Sequence, residues 1–221
     1  MKLALFDLDH TLIPFDSGMA WTRFLVRAGA LTAHAEERYL QFCHQYVAGT
    51  LDIHAMHRAS MAPLAAFGRD QLLDWQHAFG LEMAGQLPHA MRELVGAHRA
   101  SGDLCAVVTA TSRWVAEPFA RAFGVPHLLA TEAVCVGGVP TGEIDGLPCF
   151  REHKLTRVQQ WLAALPLPTR ALAEFEASWF YSDSASDLPL LEAVTQPVAV
   201  RPDARLRTHA LKAGWRVIDT T

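Results

Sequence analysis

Two carboxylates stand two residues apart at the end of an apolar run, where Leu3, Ala4, Leu5 and Phe6 lead into Asp7 and Asp9. Such a run reads as a buried strand that delivers its acids to the carboxyl end, where ligands bind in open α/β sheets. The same acids could instead close the strand and open a turn, because Asp is common in turns. Three later positions offer related chemistry: Thr109 after the apolar stretch 104–108, Lys154 near the start of a helix, and Asp183 with Asp187 after 178–181. Each has a plainer reading, as a strand-end hydroxyl, a surface lysine and a helix cap. Lys154, however, falls in a first helical turn, where its charge opposes the macrodipole, and this points to an anion nearby. His10 follows Asp9 and reads as facing the loop.

Magnitudes give the cluster its meaning. Carboxylates about 4 Å apart repel by roughly 4 kcal/mol per pair at an effective dielectric near 20. Summed over Asp7, Asp183 and Asp187, that rivals the roughly 5–15 kcal/mol by which a domain is stable. The group therefore needs a divalent cation or raised pKa values. Carboxylates without imidazole or thiolate suit a hard ion that keeps some of its waters, so Mg2+ is the expected metal.

The elements that must hold these residues alternate in period. After the first strand, Asp16 or Ser17 can cap a helix carrying Trp21, Phe24, Leu25 and Ala28, and Gly29 stops it. Thr32 reads as the next N-cap, with Glu36 and Glu37 at the favourable end of the dipole. Apolar stripes then predict further helices around Ile53–Leu64 and Leu72–Met83, interrupted near Pro63. No strand is predicted between Asp16 and Gly85.

From Pro88 onward, helices and strands alternate. A helix ends near Gly102, a strand ends at Thr109, and Thr111 or Ser112 caps a helix that Pro118 should kink. Residues 127–130 read as a strand, and 133–150, rich in Gly, as short antiparallel strands and turns. The Lys154 helix, a strand ending at Asp183, a helix opened by Asp187, and elements over 198–200, 204–212 and 215–218 complete the chain. Alternation of this kind predicts an α/β fold, a doubly wound and mostly parallel Rossmann-like sheet. The division expected is a core of residues 1–15 and 86–221 with an all-helical insertion, 16–85.

Taken together, FDLDHTL, VVTAT, the Lys154 helix and YSDSASDLPLL resemble, in order, the four motifs of the haloacid dehalogenase superfamily of phosphohydrolases. The inserted helices resemble that superfamily's helical cap in the phosphoserine phosphatase-like branch, and TATSRWVAEPFA and the TGEI stretch look closest to subfamily IB. The resemblance implies an Mg2+-dependent phosphomonoesterase. It makes Asp7 the nucleophile that forms an aspartyl-phosphate, and Asp9 the general acid and then base. It gives the metal the Asp7 and Asp183 carboxylates, the Asp9 backbone carbonyl and, directly or through water, Asp187, which could instead orient Lys154. Thr109 and Lys154 would bind phosphate. The acid nine positions after the nucleophile meets a substrate amine in phosphoserine phosphatases. Asp16 holds that offset here, one methylene shorter than the usual Glu, and it could equally be only an N-cap.

The substrate class implied is a small phosphorylated metabolite, amino-bearing as in phosphoserine or histidinol phosphate. Arg23, Arg27, Arg58, Trp21, Trp114, Arg151 and His153 are further rim residues. A phosphotransferase passing the group to an alcohol would use the same motifs. A receiver-type phospho-switch fits less well, because its phosphorylated Asp should come later in a shorter chain.

Bulk properties agree. The 221 residues, 51% hydrophobic and 19% charged, can bury a proper core, and a net charge of −4 gives no hint of nucleic acid. No apolar stretch is long enough for a membrane span, and the early acids argue against a secretory signal. Cys43, Cys105, Cys135 and Cys149 form no CxxC pair and read as reduced, mostly buried thiols of a cytoplasmic protein. Oligomeric state has no signature in the sequence.

Overall fold

A computed structural model describes residues 1–166 and 171–219. Among them, six strands form one parallel sheet: β1 (Lys2–Phe6), β2 (Leu104–Ser112), β3 (His127–Thr131), β6 (Ala177–Ser182), β7 (Gln196–Val200) and β8 (Arg216–Ile218). A separate antiparallel pair is made by β4 (Ala133–Val136) and β5 (Val139–Ile144). The large sheet runs β3-β2-β1-β6-β7-β8. Numbered by sheet strands alone this is 3-2-1-4-5-6, the Rossmann order, whose direction reverses between β1 and β6. Asp7 follows β1 and Asp183 follows β6, so the crevice at the reversal is where their carboxylates arrive.

Side-chain alternation along β1 explains why both faces are covered. Ala4 and Phe6 join one core with Met91 and Val95 of α5 (His89–Ala100) and Val115 and Phe119 of α6 (Arg113–Ala122). Leu3 and Leu5 join the other, with Val158 and Leu162 of α7 (Glu152–Ala164), Leu190 of α8 (Leu188–Leu191) and Leu206 of α9 (Ala204–Ala213). A strand buried on both faces reads as a continuous apolar run, as LALF does.

Between β1 and α5 lie α1 (Ser17–Arg27), α2 (His34–Ala48), α3 (Ile53–Met61) and α4 (Arg69–Ala84), with a 3-10 turn at Ala62–Ala66 and no strand. They do not form a fully separate core. Trp21, Leu25 and Phe79 pack in the same cluster as Phe119 of α6, with the Phe79 and Phe119 rings edge to face at 5.7 Å.

Two local expectations are corrected. β2 runs three residues past Thr109, because an irregularity between Val108 and Ser112 absorbs the end of the pairing with β3. Helix α2 is preceded by Ala33, and the Thr32 carbonyl instead takes the Ala35 amide in an entering turn. Helix α6 continues through Pro118. Proline cannot donate to the carbonyl four residues back; that carbonyl, on Trp114, takes the Gln76 side-chain amide at 2.6 Å.

Candidate active site

Lys154 is buried and bridges two acids, its Nζ donating to Asp7 Oδ1 at 2.8 Å and to Asp187 Oδ2 at 2.7 Å. An ammonium in the first turn of α7 is tolerated because it answers these carboxylates. Burial works against its charge, but Asp187 and Asp7 outweigh that and hold its pKa well above the ordinary lysine value. Ser182 Oγ donates to the same Asp187 oxygen at 2.7 Å. Asp187 Oδ1 is buried with no hydrogen-bond partner.

Thr11 joins the two strands at the reversal. Its Oγ1 lies 3.2 Å from Asp7 Oδ2 and 3.2 Å from Asp183 Oδ1. A hydroxyl has one hydrogen to give, so it can serve only one of these carboxylates at a time. Both are pushed up: burial, and then Asp187, bring Asp7 to about 6 against the pull of Lys154, and burial and Asp7 hold Asp183 well above the usual range.

Asp9 points into a different donor set. Its Oδ1 accepts the Ser17 amide at 2.6 Å and its Oδ2 accepts Thr111 Oγ1 at 2.7 Å. Burial first, then the Asp16 charge, raise its pKa to about 6 despite these donors. Asp16 caps α1, accepting the Met19 amide at 2.7 Å. Both acids therefore sit at the positive end of α1. The Tyr39 hydroxyl is buried near the Asp16 carboxylate, and burial first, then that charge, raise its pKa; a Cβ on Gly18 would lie 2.0 Å from the hydroxyl.

The loop between β1 and α1 is clamped by Arg201, which follows β7. His10 has a left-handed backbone, φ 56°, and its side chain is exposed. Arg201 Nη2 donates to the His10 and Thr11 carbonyls at 2.8 and 2.7 Å.

Asp7, Lys154, Asp183 and Asp187 thus meet in one network, and Asp9 and Asp16 form a neighbouring pair. Thr109 is buried on the strand beside β1, but its Oγ1 accepts the Thr111 amide at 3.1 Å and, among the described residues, makes no hydrogen bond to the carboxylates. Of the rim residues expected, Arg23, Arg27 and Arg58 are paired with Glu36, Glu82 and Glu143, Arg151 donates to the Gly49 carbonyl, and Trp21 belongs to the core.

Sequence reasoning gave no role to Thr11, Tyr39, Ser182 or Arg201, and it read Ser17 and Thr111 only as caps. Thr11 and Ser182 lie inside the acidic motifs and were open to notice; Tyr39 and Arg201 come from distant elements and carry no local signal. All four cysteines are free, Cys105 and Cys149 buried and Cys135 exposed.

Comparison with known proteins places the chain in a family. The family of haloacid dehalogenase-like hydrolases matches residues 4–192. The chain belongs to that family. A histidinol-phosphatase of Neisseria meningitidis is 37% identical, over 99% of this chain and 98% of its own. A solved structure of a Bordetella pertussis Tohama I protein of unknown function is 45% identical, with a TM-score of 0.90 over 99% of this chain and 98% of that one. A substrate-bound phosphoserine phosphatase, at 16% identity and a TM-score of 0.67 over 99% and 93% of the two chains, shares the fold. No helix among the described residues is long and apolar enough to cross a membrane.

Proposed function

We propose that this phosphatase hydrolyses a small amino-bearing phosphomonoester of the histidinol phosphate kind through an aspartyl-phosphate on Asp7. The observation that carries the proposal is the separation of two acids into two environments. Asp7 is bound by the Lys154 cation and faces Asp183, whereas Asp9 is held by neutral donors and faces Asp16. In the first half-reaction an Asp7 oxygen bonds phosphorus, the ester P–O bond breaks, and Asp9 gives its proton to the leaving alkoxide. In the second, Asp9 takes a proton from water, the water oxygen bonds phosphorus, and the Asp7–phosphorus bond breaks. A pKa near 6 suits a group that must do both. Lys154 answers the charge that Asp7 and the phosphoryl oxygens share, and the Thr109 hydroxyl adds a donor from β2.

The donor chemistry fits Mg2+. Buried Asp7 and part-buried Asp183 share one Thr11 hydrogen, Asp187 Oδ1 has no partner, and every donor is oxygen. Among the described residues no three His, Cys, Asp or Glu side chains stand in ligand geometry; the set proposed is the Asp7 and Asp183 carboxylates and the Asp9 carbonyl, with Asp187 completing it directly or through water. When bound, the ion would supply positive charge against the phosphoryl oxygens and the acids.

Residues 16–85 would form the cap over this crevice and select the leaving group. Asp16, next to Asp9, would meet the substrate ammonium. The pairing of Arg23, Arg27 and Arg58 with glutamates favours a leaving group without a carboxylate, hence histidinol phosphate over phosphoserine. The likeness to a histidinol-phosphatase along nearly the whole of both chains supports the same choice.

Phosphate release from histidinol phosphate, phosphoserine and p-nitrophenyl phosphate, with Mg2+ and with EDTA, tests the reading. Histidinol phosphate should give the highest kcat/KM, and Asp7→Asn should abolish turnover of all three. A preference for p-nitrophenyl phosphate over both amines would remove the proposed substrate class. Added glycerol that captures the phosphoryl group in place of water would make the protein a phosphotransferase.

A further inference from the structure

The C-terminal end of α2 touches the Asp183–Asp187 turn and the start of the helix that carries Lys154. Tyr46 Oη donates to Ser184 Oγ at 2.8 Å and lies 3.0 Å from Ser186 Oγ. These serines stand between Asp183 and Asp187. The Ser184 amide donates to Ser182 Oγ at 3.2 Å, Ser182 Oγ donates to Asp187 Oδ2 at 2.7 Å, and Lys154 donates to that same oxygen at 2.7 Å. Three residues past Tyr46, the Gly49 carbonyl accepts Arg151 Nη2 at 2.8 Å, and Arg151 opens the helix that carries Lys154. Phe42, Leu51, Ile53 and Phe150 fill the seam between these contacts.

Hydrogen counting gives the tyrosine a direction. Ser184 Oγ donates its one hydrogen to Ser186 Oγ at 3.1 Å and accepts the Ser186 amide at 3.2 Å. Its remaining acceptor capacity is met by Tyr46. Burial of the phenol, and then the Asp187 charge, keep it protonated and therefore able to donate. The tyrosine as a whole is 38% exposed, so the packing of its ring is the lesser part of its role.

We propose that Tyr46 is a positioning residue that couples the seating of segment 16–85 on the core to the geometry of the Asp183–Asp187 turn. With α2 docked, the Tyr46–Ser184–Ser186 chain holds that turn so that Asp187 meets Lys154 and Asp183 faces Asp7. With α2 lifted, the turn keeps its own serine contacts and those to Asp203, which accepts the Ala185 amide at 2.7 Å and donates its own amide to the Asp183 carbonyl at 2.8 Å, but loses the hold on Ser184 and Ser186. The inference rests on the reading of Asp183 and Asp187 as part of the cation site.

Tyr46→Phe, Ser184→Ala, their double variant and Asp183→Asn, each made in the full chain, provide the test. The first readout needs no turnover: the Mg2+ concentration that half-maximally raises the melting temperature. The second is kcat/KM on p-nitrophenyl phosphate. Tyr46→Phe should raise the Mg2+ midpoint and lower kcat/KM by about three- to tenfold, the weight of one hydrogen bond. Its melting temperature in EDTA should match that of the wild type. Ser184→Ala should do the same from the core side, and the double variant should be no worse than either single one. A wild-type Mg2+ midpoint in Tyr46→Phe, or additive losses in the double variant, would overturn the coupling. A fall in kcat/KM with an unchanged midpoint would also overturn it and make Tyr46 a substrate contact. If Tyr46→Phe failed to fold, Ser184→Ala alone would decide by the same readouts. If Asp183→Asn abolished the Mg2+ response while Tyr46→Phe kept it, only the coupling would fail. If the wild type showed no Mg2+ response, the cation reading would fail and take the coupling with it.

Discussion

Lys154 Nζ lies 2.8 Å from Asp7 Oδ1, and both side chains are almost wholly buried. A pair taken so far out of water leaves a costly charge when one partner is removed, typically about 3–5 kcal/mol. Lys154→Met should therefore lose stability of that order at pH 7 in EDTA, as well as activity. The loss should shrink at pH 5, where Asp7, already pushed up to about 6 by burial, can take a proton instead. Urea denaturation at the two pH values checks this. An equal loss at both would mean that the carboxylates are not the source.

The raised carboxylates also set a pH dependence with a definite sign. Burial, and then Asp16, bring Asp9 to about 6 from an ordinary 3.8. The folded protein thus binds its proton more tightly than the unfolded chain does. The stability this group contributes is complete below the unfolded value and is lost as pH rises through about 6. Asp9→Asn cannot titrate there. In EDTA its stability relative to wild type should rise between pH 4 and pH 7 and then level off, whatever fixed offset the substitution brings. Thermal melts across that range would show it, and a flat difference would contradict the assignment.

The legible parts of this site were those carried by short-range pattern. LALF ends in acids because β1 is buried on both faces and stops at the sheet reversal, and YSDSASD repeats that logic on β6. The parallel sheet follows from the alternation of strands and helices, but its strand order does not. Thr109 shows where pattern fails. Its apolar run ends, but the strand continues through an irregular pairing with β3 that only the neighbouring strand's register determines. The arginines of the helical segment failed for another reason. Their partners, Glu36, Glu82 and Glu143, are 13, 55 and 85 residues away, so nothing local showed that they were engaged. Tyr39 and Tyr46 lie on the same helix, α2, yet the Tyr39 hydroxyl lies near Asp16 and the Tyr46 hydroxyl bonds Ser184.

Gln76 on α4 offers a test of how the helical segment is fastened to the core. Its Nε2 supplies the hydrogen that Pro118 cannot give to the Trp114 carbonyl. Gln76→Ala leaves that part-buried carbonyl without a donor, at a cost of about 1–2 kcal/mol. The double variant Gln76→Ala with Pro118→Ala should recover most of this, because alanine restores a backbone amide to α6. Chemical denaturation of the two variants and wild type measures both steps. If Pro118→Ala brought no recovery, the side-chain amide would not be substituting for a backbone one.

Gly18 is the residue through which leaving-group selection can be tested without touching an acid. It sits two residues after Asp16, and a Cβ there would lie 2.0 Å from the Tyr39 hydroxyl and 2.7 Å from Cζ of the ring. Tyr39 is buried, so the ring tip must move away from Asp16 rather than swing into water. Overpacking of this kind costs about 1–3 kcal/mol. The functional consequence should be selective. Gly18→Ala should raise KM for histidinol phosphate severalfold while leaving kcat/KM for p-nitrophenyl phosphate, which has no ammonium, nearly unchanged. Asp16→Asn should show the same selectivity more strongly, because it removes the charge itself, and Tyr39→Phe should resemble Gly18→Ala without the loss of stability. Equal losses on both esters in Gly18→Ala would trace the effect to the adjoining Ser17 amide and the Asp9 it holds at 2.6 Å, and would separate Tyr39 from substrate choice.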